Sequence, residues 1–153
     1  LEQFLYTVGI MADTHGIIPN RVIELFEHVD HIIHAGDIGT EDILFTLETL
    51  APVTAVYGNV DPFPLRRRLK ERREWTLYGF HMVVTHFPNP NASIVEPGIQ
   101  ISGHTHKPFI RKEGESLYIN PGSTTYPRGL IDPSVARVTI TAPGRAKAEI
   151  IYF

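Results

Sequence analysis

The chain has 153 residues, a net charge of −3, and 42% hydrophobic and 20% charged side chains. That balance suits one globular domain and excludes a disordered tail, a collagen-like repeat and a coiled coil. No apolar run approaches the ~20 residues that span a bilayer, no cysteine is present for a disulfide or thiolate site, and no global basic field draws the chain to nucleic acid. Leu1-Glu2-Gln3-Phe4 lacks the basic start and long apolar stretch of a secretory signal. A cytoplasmic location is therefore expected, with neither membrane nor nucleic acid as a partner. With no repeat, linker or low-complexity tract, residues 1–153 read as one domain.

The first half alternates strand and helix. Phe4 to Ala12 is an apolar run of strand length. After the Pro19-Asn20 break, Val22 to Phe26 is apolar at helical spacing. Ile32 to Ala35 is a second strand. Asp42 to Leu47 begins a second helix, with Thr40 as its expected N-cap. Val53 to Tyr57 is a third strand. This order implies a parallel sheet with right-handed crossovers. The second half is strand-rich: Trp75 to Tyr78 with His81 to Thr85 around Gly79, then Ile99 to Ser102. Phe109 to Lys112 with Ser116 to Ile119, and Val135 to Thr141 with Ala146 to Phe153, read as further hairpins. A parallel start and β-rich finish suggest two packed sheets with helices outside.

Five apolar runs end in metal-ligand types: Asp13-Thr14-His15, Gly36-Asp37, Gly58-Asn59, Thr85-His86 and Gly103-His104-Thr105-His106. Ligands of open α/β sheets bind beyond the carboxyl ends of strands, so these tips can converge. In extended chain, residues i and i+2 point to one side, which lets both members of Asp-x-His and His-x-His face one site. The glycines before Asp37, Asn59 and His104 are expected to permit sharp turns. Carboxylate, amide oxygen and imidazole suit Mn, Fe, Zn or Ni. Seven such side chains are too many for one ion and suit two divalent ions sharing a carboxylate. His28, His31, His34 and His81 lack partner motifs and read as structural or exposed. The run from Arg66 to Glu74 reads as a solvated strand or helix face.

The order Asp-x-His, Gly-Asp, Gly-Asn, His, Gly-His-x-His resembles the calcineurin-like metallophosphoesterase superfamily, and most of all its small single-domain phosphodiesterase branch. The resemblance runs from Asp13 to the segment Asn120-Pro121-Gly122-Ser123. It implies an α/β fold, a four-layer αββα sandwich of two mixed β-sheets flanked by helices. It further implies that Asp13, His15 and His106 hold one metal, that Asn59, His86 and His104 hold a second, and that Asp37 bridges them. Mn is the expected ion, with Fe, Ni and Zn compatible. The implied reaction is hydrolysis of a small phosphoester, most of all a phosphodiester, by a hydroxide held between the ions, with nucleotide-derived compounds among the candidate substrates. Asp37, Asn59, Asp61 and His104 are the expected catalytic group, and Asn59, Ser123 and Arg128 the expected substrate contacts.

Two departures stand out. Many superfamily members carry a proton-donating His after Gly-Asn, where this chain has Val60, and Asp61 is assigned a role in orienting His15 or a water. Relatives often continue the fourth motif as Gly-His, where this chain has Phe87-Pro88. Two other functions compete. One is a non-catalytic scaffold like the retromer cargo-sorting subunit, which resembles this branch but substitutes the position of Asp37. The other is an RNA- or nucleotide-binding module using the Arg66 to Arg73 run.

Overall fold

The structure, a computed structural model, describes residues 4–89, 94–125, 129 and 131–153. Thirteen elements follow in chain order: β1 (Tyr6–Met11), α1 (Asn20–Phe26), β2 (His31–His34), α2 (Glu41–Glu48), β3 (Val53–Ala55), α3 (Phe63–Arg68), β4 (Arg72–Leu77), β5 (Phe80–Thr85), β6 (Gly98–Ile101), β7 (Phe109–Glu113), β8 (Ser116–Asn120), β9 (Ser134–Ala142) and β10 (Arg145–Tyr152). They form two five-stranded sheets, ordered β10-β9-β1-β2-β3 and β4-β5-β6-β8-β7. Each has three parallel strands, β1, β2 and β3 in the first and β5, β6 and β8 in the second, with antiparallel strands beside them. Parallel strands need crossovers, so the carboxyl ends of β1, β2 and β3 gather at one end of the sheet.

The sheets face each other across an apolar layer. Val8, Ile10 and Ile33 from the first sheet meet Met82, Val84, Ile99, Ile101 and Ile119 from the second, all essentially excluded from water. The other face of the first sheet, with Met11, Ile32, Ala55 and Val135, is covered by Val22 and Phe26 of α1, Ile43, Leu44 and Leu47 of α2, and Leu65 of α3. β1 is thus buried on both faces, which is why its sequence is an unbroken apolar run rather than an alternating one. Gly9 is the exception that makes room: a Cβ there would lie 2.8 Å from the Phe26 ring. Burying a Phe side chain contributes about 1.5–3 kcal/mol, so the missing side chain is worth its cost in strand propensity. The helices are six to eight residues long, too short to persist alone, and this packing holds them.

The two mixed sheets and flanking helices are the α/β sandwich expected from the sequence. All three helices of the described residues lie on the first sheet. The outer face of the second is approached by the segment carrying Asn89, whose carbonyl accepts from Gln100 Nε2 at 3.4 Å. Three local readings change. Thr40 occupies the N-cap position of α2 with extended backbone, but its side chain makes no capping bond. The acidic Glu41 and Asp42 instead meet the helix dipole in the first turn. The Arg66 to Glu74 run is not one face: it spans the end of α3 and the start of β4, divided by the extended residue Leu69. β4 begins at Arg72, earlier than its apolar residues suggest, because pairing with β5 from Arg72↔Thr85 extends it. Among the described residues, no helix is long and apolar enough to cross a membrane.

Candidate metal centre

The tips of β1, β2, β3, β5 and β6 meet at one end of the sandwich, and the candidate ligands of both sheets meet with them. Asp13, His15 and His106 form one trio, and Asp37, His86 and His104 another. Within each trio one ligand atom per residue lies within 4.8 Å of the others. His106 Nε2 is 3.4 Å from Asp13 Oδ1, and His15 Nε2 is 3.9 Å from the same oxygen. His86 Nε2 is 3.2 Å from Asp37 Oδ2 and 3.0 Å from Asn59 Oδ1. The trios adjoin, with His86 Nε2 3.9 Å from Asp13 Oδ1. Asn59 Oδ1 therefore lies beside the second trio.

The convergence has a different cause from the one the sequence suggests. Asp13, His15, Asp37, His104 and His106 have φ of 55°, 49°, 55°, 69° and 61°. They are left-handed rather than extended, so the chain doubles back after each strand. For a residue with a Cβ this conformation costs about 1–2 kcal/mol, and such strain survives only where surroundings over-determine it. Here the tips hold one another. Asp13 N–H donates to Gly36 O at 2.9 Å, His15 N–H to Asp37 O at 3.0 Å, and Gly16 N–H to Ile38 O at 2.7 Å. Gly103 N–H donates to His86 O at 2.9 Å, and His104 N–H to Asp13 Oδ2 at 3.0 Å.

The three glycines also divide by role. Gly36 has φ of 100° and makes the turn that was expected. Gly58 and Gly103 serve close approach instead. A Cβ on Gly58 would lie 2.1 Å from Asp37 Oδ1, and one on Gly103 would lie 2.9 Å from Ala12 Cβ.

The donor chemistry fits a divalent cation. His86 Nδ1–H donates to the carbonyl of Ala35 at 2.8 Å, which turns Nε2 toward the oxygens of Asp37 and Asn59. A lone pair and two oxygen acceptors meeting at that separation need a proton or a cation among them. The electrostatics agree. Burial pushes the Asp37 carboxyl up, but hydrogen bonds from His86 and from Val60 N–H outweigh it and hold its pKa below the usual range. Burial likewise pulls His86 down, yet the bonds to Asp37 and Ala35 and the charge of Asp13 leave its pKa raised. Asp13, Asp37, His86 and His106 are all buried, so acidic oxygens and imidazoles share a low-dielectric pocket in which positive charge is favoured.

Two expected functional residues also hold backbone in place. Asp61, expected in the catalytic group, is 3% exposed. Its Oδ1 accepts from Gly39 N–H at 2.9 Å and its Oδ2 from Gly58 N–H at 2.8 Å. It ties the loop after β3 to the loop after β2, and both oxygens are committed to backbone. Ser123, expected at the substrate, is 1% exposed and donates to the carbonyl of Asp13 at 2.8 Å. It braces the first ligand loop from behind. Arg128, the other expected contact, lies outside the described residues. Val60 is 57% exposed, and its backbone N–H donates to Asp37 Oδ1 at 3.1 Å.

His34, read from the sequence as structural or exposed, proves to support this centre. It is fully buried. Its Nδ1 accepts from Gly36 N–H at 3.1 Å, which leaves Nε2–H to donate to Thr14 Oγ1 at 3.0 Å. Thr14 in turn donates to Ile38 O at 2.8 Å. The imidazole thus clamps the Asp13-Thr14-His15 loop to the Gly36-Asp37-Ile38 loop. Burial foremost, with the nearby His86 charge, lowers its pKa to about 3, so it is neutral. Its place three residues before Asp37 was the available sequence signal. Asn120, fully buried, does the same for the later loops: its Nδ2 donates to Gly103 O and Thr105 Oγ1, and its Oδ1 accepts from Gly122 N–H.

Residues 6–142 match the calcineurin-like phosphoesterase superfamily domain. The chain belongs to that superfamily. It is 39% identical to a probable metallophosphoesterase of Methanothermobacter thermautotrophicus, over 94% of this chain and 91% of the relative. It is 32% identical to a phosphodiesterase of Methanocaldococcus jannaschii, over 75% of this chain and 82% of that protein. Vacuolar protein sorting 29 of Cryptosporidium parvum superposes with a TM-score of 0.75 at 18% identity, covering 98% of both chains. That last likeness is one of fold. Membership carries phosphoesterase chemistry in general and agrees with the resemblance read from the five motifs.

Proposed function

We propose that this protein is a phosphodiesterase that works with two divalent metal ions. One would be held by Asp13, His15 and His106, the other by Asn59, His86 and His104, with Asp37 between them. The observation that carries the reading is the pair of adjoining ligand trios, each gathered within 4.8 Å and drawn from both sheets. The phosphodiesterase relative at 32% identity supports the diester preference. Bound ions would supply Lewis acidity, neutralising phosphoryl charge and acidifying water. The protein's own part is positional. Left-handed residues and cross-strand hydrogen bonds fix the donors before any substrate arrives, so little reorganisation remains at the reaction. Asn59 is exposed beside buried His86, which leaves the second trio open to a phosphoester. The physiological ion is taken to be Mn, the protein to be cytoplasmic, and residues 1–153 to form one domain.

The test is a metal-by-substrate panel. Protein stripped with chelator should be inert, should bind close to two ions per chain, and should regain hydrolysis of bis-nitrophenyl phosphate with Mn. Intact fold with no ion bound at any concentration would remove the reading.

The scaffold reading has one observation in its favour besides the vacuolar sorting fold. Ile17, Val60, Phe63 and Phe87 lie on loops or short elements following the ligand-bearing strands and are 51%, 57%, 72% and 47% exposed. Such apolar groups suit protein docking. Retention of Asp37 within the second trio favours catalysis, and metal-dependent turnover decides between the two.

A further inference from the structure

Of the seven proposed ligands, Asn59 alone is exposed. It is also the only amide of the set, and a neutral oxygen competes for a cation by placement rather than by charge. It sits on the loop that leaves β3, and the next residue, Val60, is exposed as well. Packing does not hold a side chain still on such a loop. Something else has to fix Asn59 if its Oδ1 is to stay 3.0 Å from His86 Nε2.

Part of the fastening comes from within the site. Asp61 takes the N–H groups of Gly39 and Gly58, and Val60 N–H donates to Asp37 Oδ1. The carbonyls on either side of Val60 go to Arg66. Its Nη2–H donates to Asn59 O at 2.7 Å and its Nε–H to Asp61 O at 2.8 Å. The guanidinium is a rigid planar fork, so one side chain sets the separation of both carbonyls. It also lies 5.5 Å from the ring centroid of Tyr57, the residue before Gly58. The fork is anchored at its own end. Leu65, the preceding residue of α3, is fully buried against the first sheet. Arg68, two residues on, pairs with Glu41 at 3.9 Å and Glu48 at 2.9 Å. α3 is thus fixed to the helical layer, and Arg66 carries that position across to the loop.

We infer that Arg66 is a positioning residue for the second ion: it holds the Asn59 backbone so that the amide oxygen faces His86, and through Asn59 it sets the affinity of that ion. Arg66 has two effects at the ion, and their signs differ. A guanidinium near a cation repels it, so by charge alone the loss of Arg66 tightens binding. A ligand ordered in advance binds better, so by position the loss of Arg66 weakens binding. The repulsion comes from an exposed side chain and is screened by water and salt. The two bonds to the carbonyls are charge-assisted and directional, which makes position the larger effect. Removing a group that orients a metal ligand typically costs about 10–100-fold in metal affinity. The inference rests on the two-ion reading, and its test separates the two.

Mn is titrated calorimetrically into chelator-stripped wild type, Arg66→Gln, Arg66→Lys and Arg67→Gln, and urea unfolding in chelator is the second readout. The wild type should take up two ions. Arg66→Gln should bind one of them with wild-type affinity and the other about 10–100-fold more weakly. Arg66→Lys should fall between, because an ammonium keeps the charge but cannot span both carbonyls. Arg67→Gln removes a charge from the neighbouring exposed residue and should match the wild type. A lowered unfolding midpoint in Arg66→Gln with both ion affinities unchanged makes Arg66 merely structural and overturns the inference. Tighter binding, or an equal loss for both ions, overturns it too. All three outcomes leave the two-ion reading intact. A wild type that takes up fewer than two ions removes both. Should Arg66→Gln not fold, Arg66→Lys carries the same comparison, and wild-type affinities in it overturn the inference.

Discussion

Acidification should destabilise the fold through His34, by an amount that can be worked out. In the unfolded chain a histidine titrates near 6.5, whereas His34 in the fold is held at about 3, chiefly by burial. Between those values the unfolded state carries the proton and the folded state does not, so stability rises with pH across the window. The contribution is complete above 6.5 and is lost as pH falls toward 3. At 1.36 kcal/mol per pKa unit the whole window is worth about 5 kcal/mol, and the step from pH 7 to pH 5 about 2 kcal/mol. His34 is fully buried, so solvent does not screen the effect. The assay is urea unfolding in chelator at both pH values, for the wild type and for His34→Gln. Gln has one donor and one acceptor group but does not titrate. The wild type should lose about 2 kcal/mol more than the variant on this acidification. Equal losses would show that His34 is not held neutral by the two ligand loops it joins.

Three further outcomes follow from the centre. Asp37→Asn should cost more activity than any other single change to the proposed ligands except His86 or His104, because it removes the charge that faces His86 at 3.2 Å; turnover and ion stoichiometry are the readouts, and wild-type values for both would show it is no bridge. Asp61→Asn should cost about 1–3 kcal/mol in urea unfolding, since one amide NH₂ must then face a buried backbone N–H where an oxygen now accepts from Gly39 or Gly58; an unchanged midpoint refutes the bracing role. Val60→His should flatten the dependence of rate on leaving-group pKa across a series of aryl and alkyl diesters, because general acid catalysis typically contributes 10²–10⁴-fold and position 60 is exposed next to Asp37. Parallel plots for the two proteins, with the variant folded and metal-loaded, mean that the side chain does not face the leaving group.

The sequence by itself determined where the strands stop and which groups stand there. An apolar run ends where the chain leaves the core, and a polar residue at that point has nowhere to go but the rim, so Asp13, Asp37, Asn59, His86 and His104 were legible as tips of β1, β2, β3, β5 and β6. The choice of ligand chemistry followed from the residue types alone. Tertiary structure decided how the tips meet. Left-handed backbone at Asp13, His15, Asp37, His104 and His106 is unfavourable locally and exists because neighbouring loops hydrogen-bond to it, which no local pattern encodes. The same holds for Asp61, Ser123 and His34. Local sequence names none of their bracing partners, which lie far along the chain: Gly39 for Asp61, Asp13 for Ser123, Thr14 for His34. The basic run shows the point most plainly. In sequence it is one block of charge, but the break at Leu69 sends Arg68 to the acidic residues of α2 and Arg66 to the carbonyls of Asn59 and Asp61, because a side chain's partner is set by which elements the fold packs beside it.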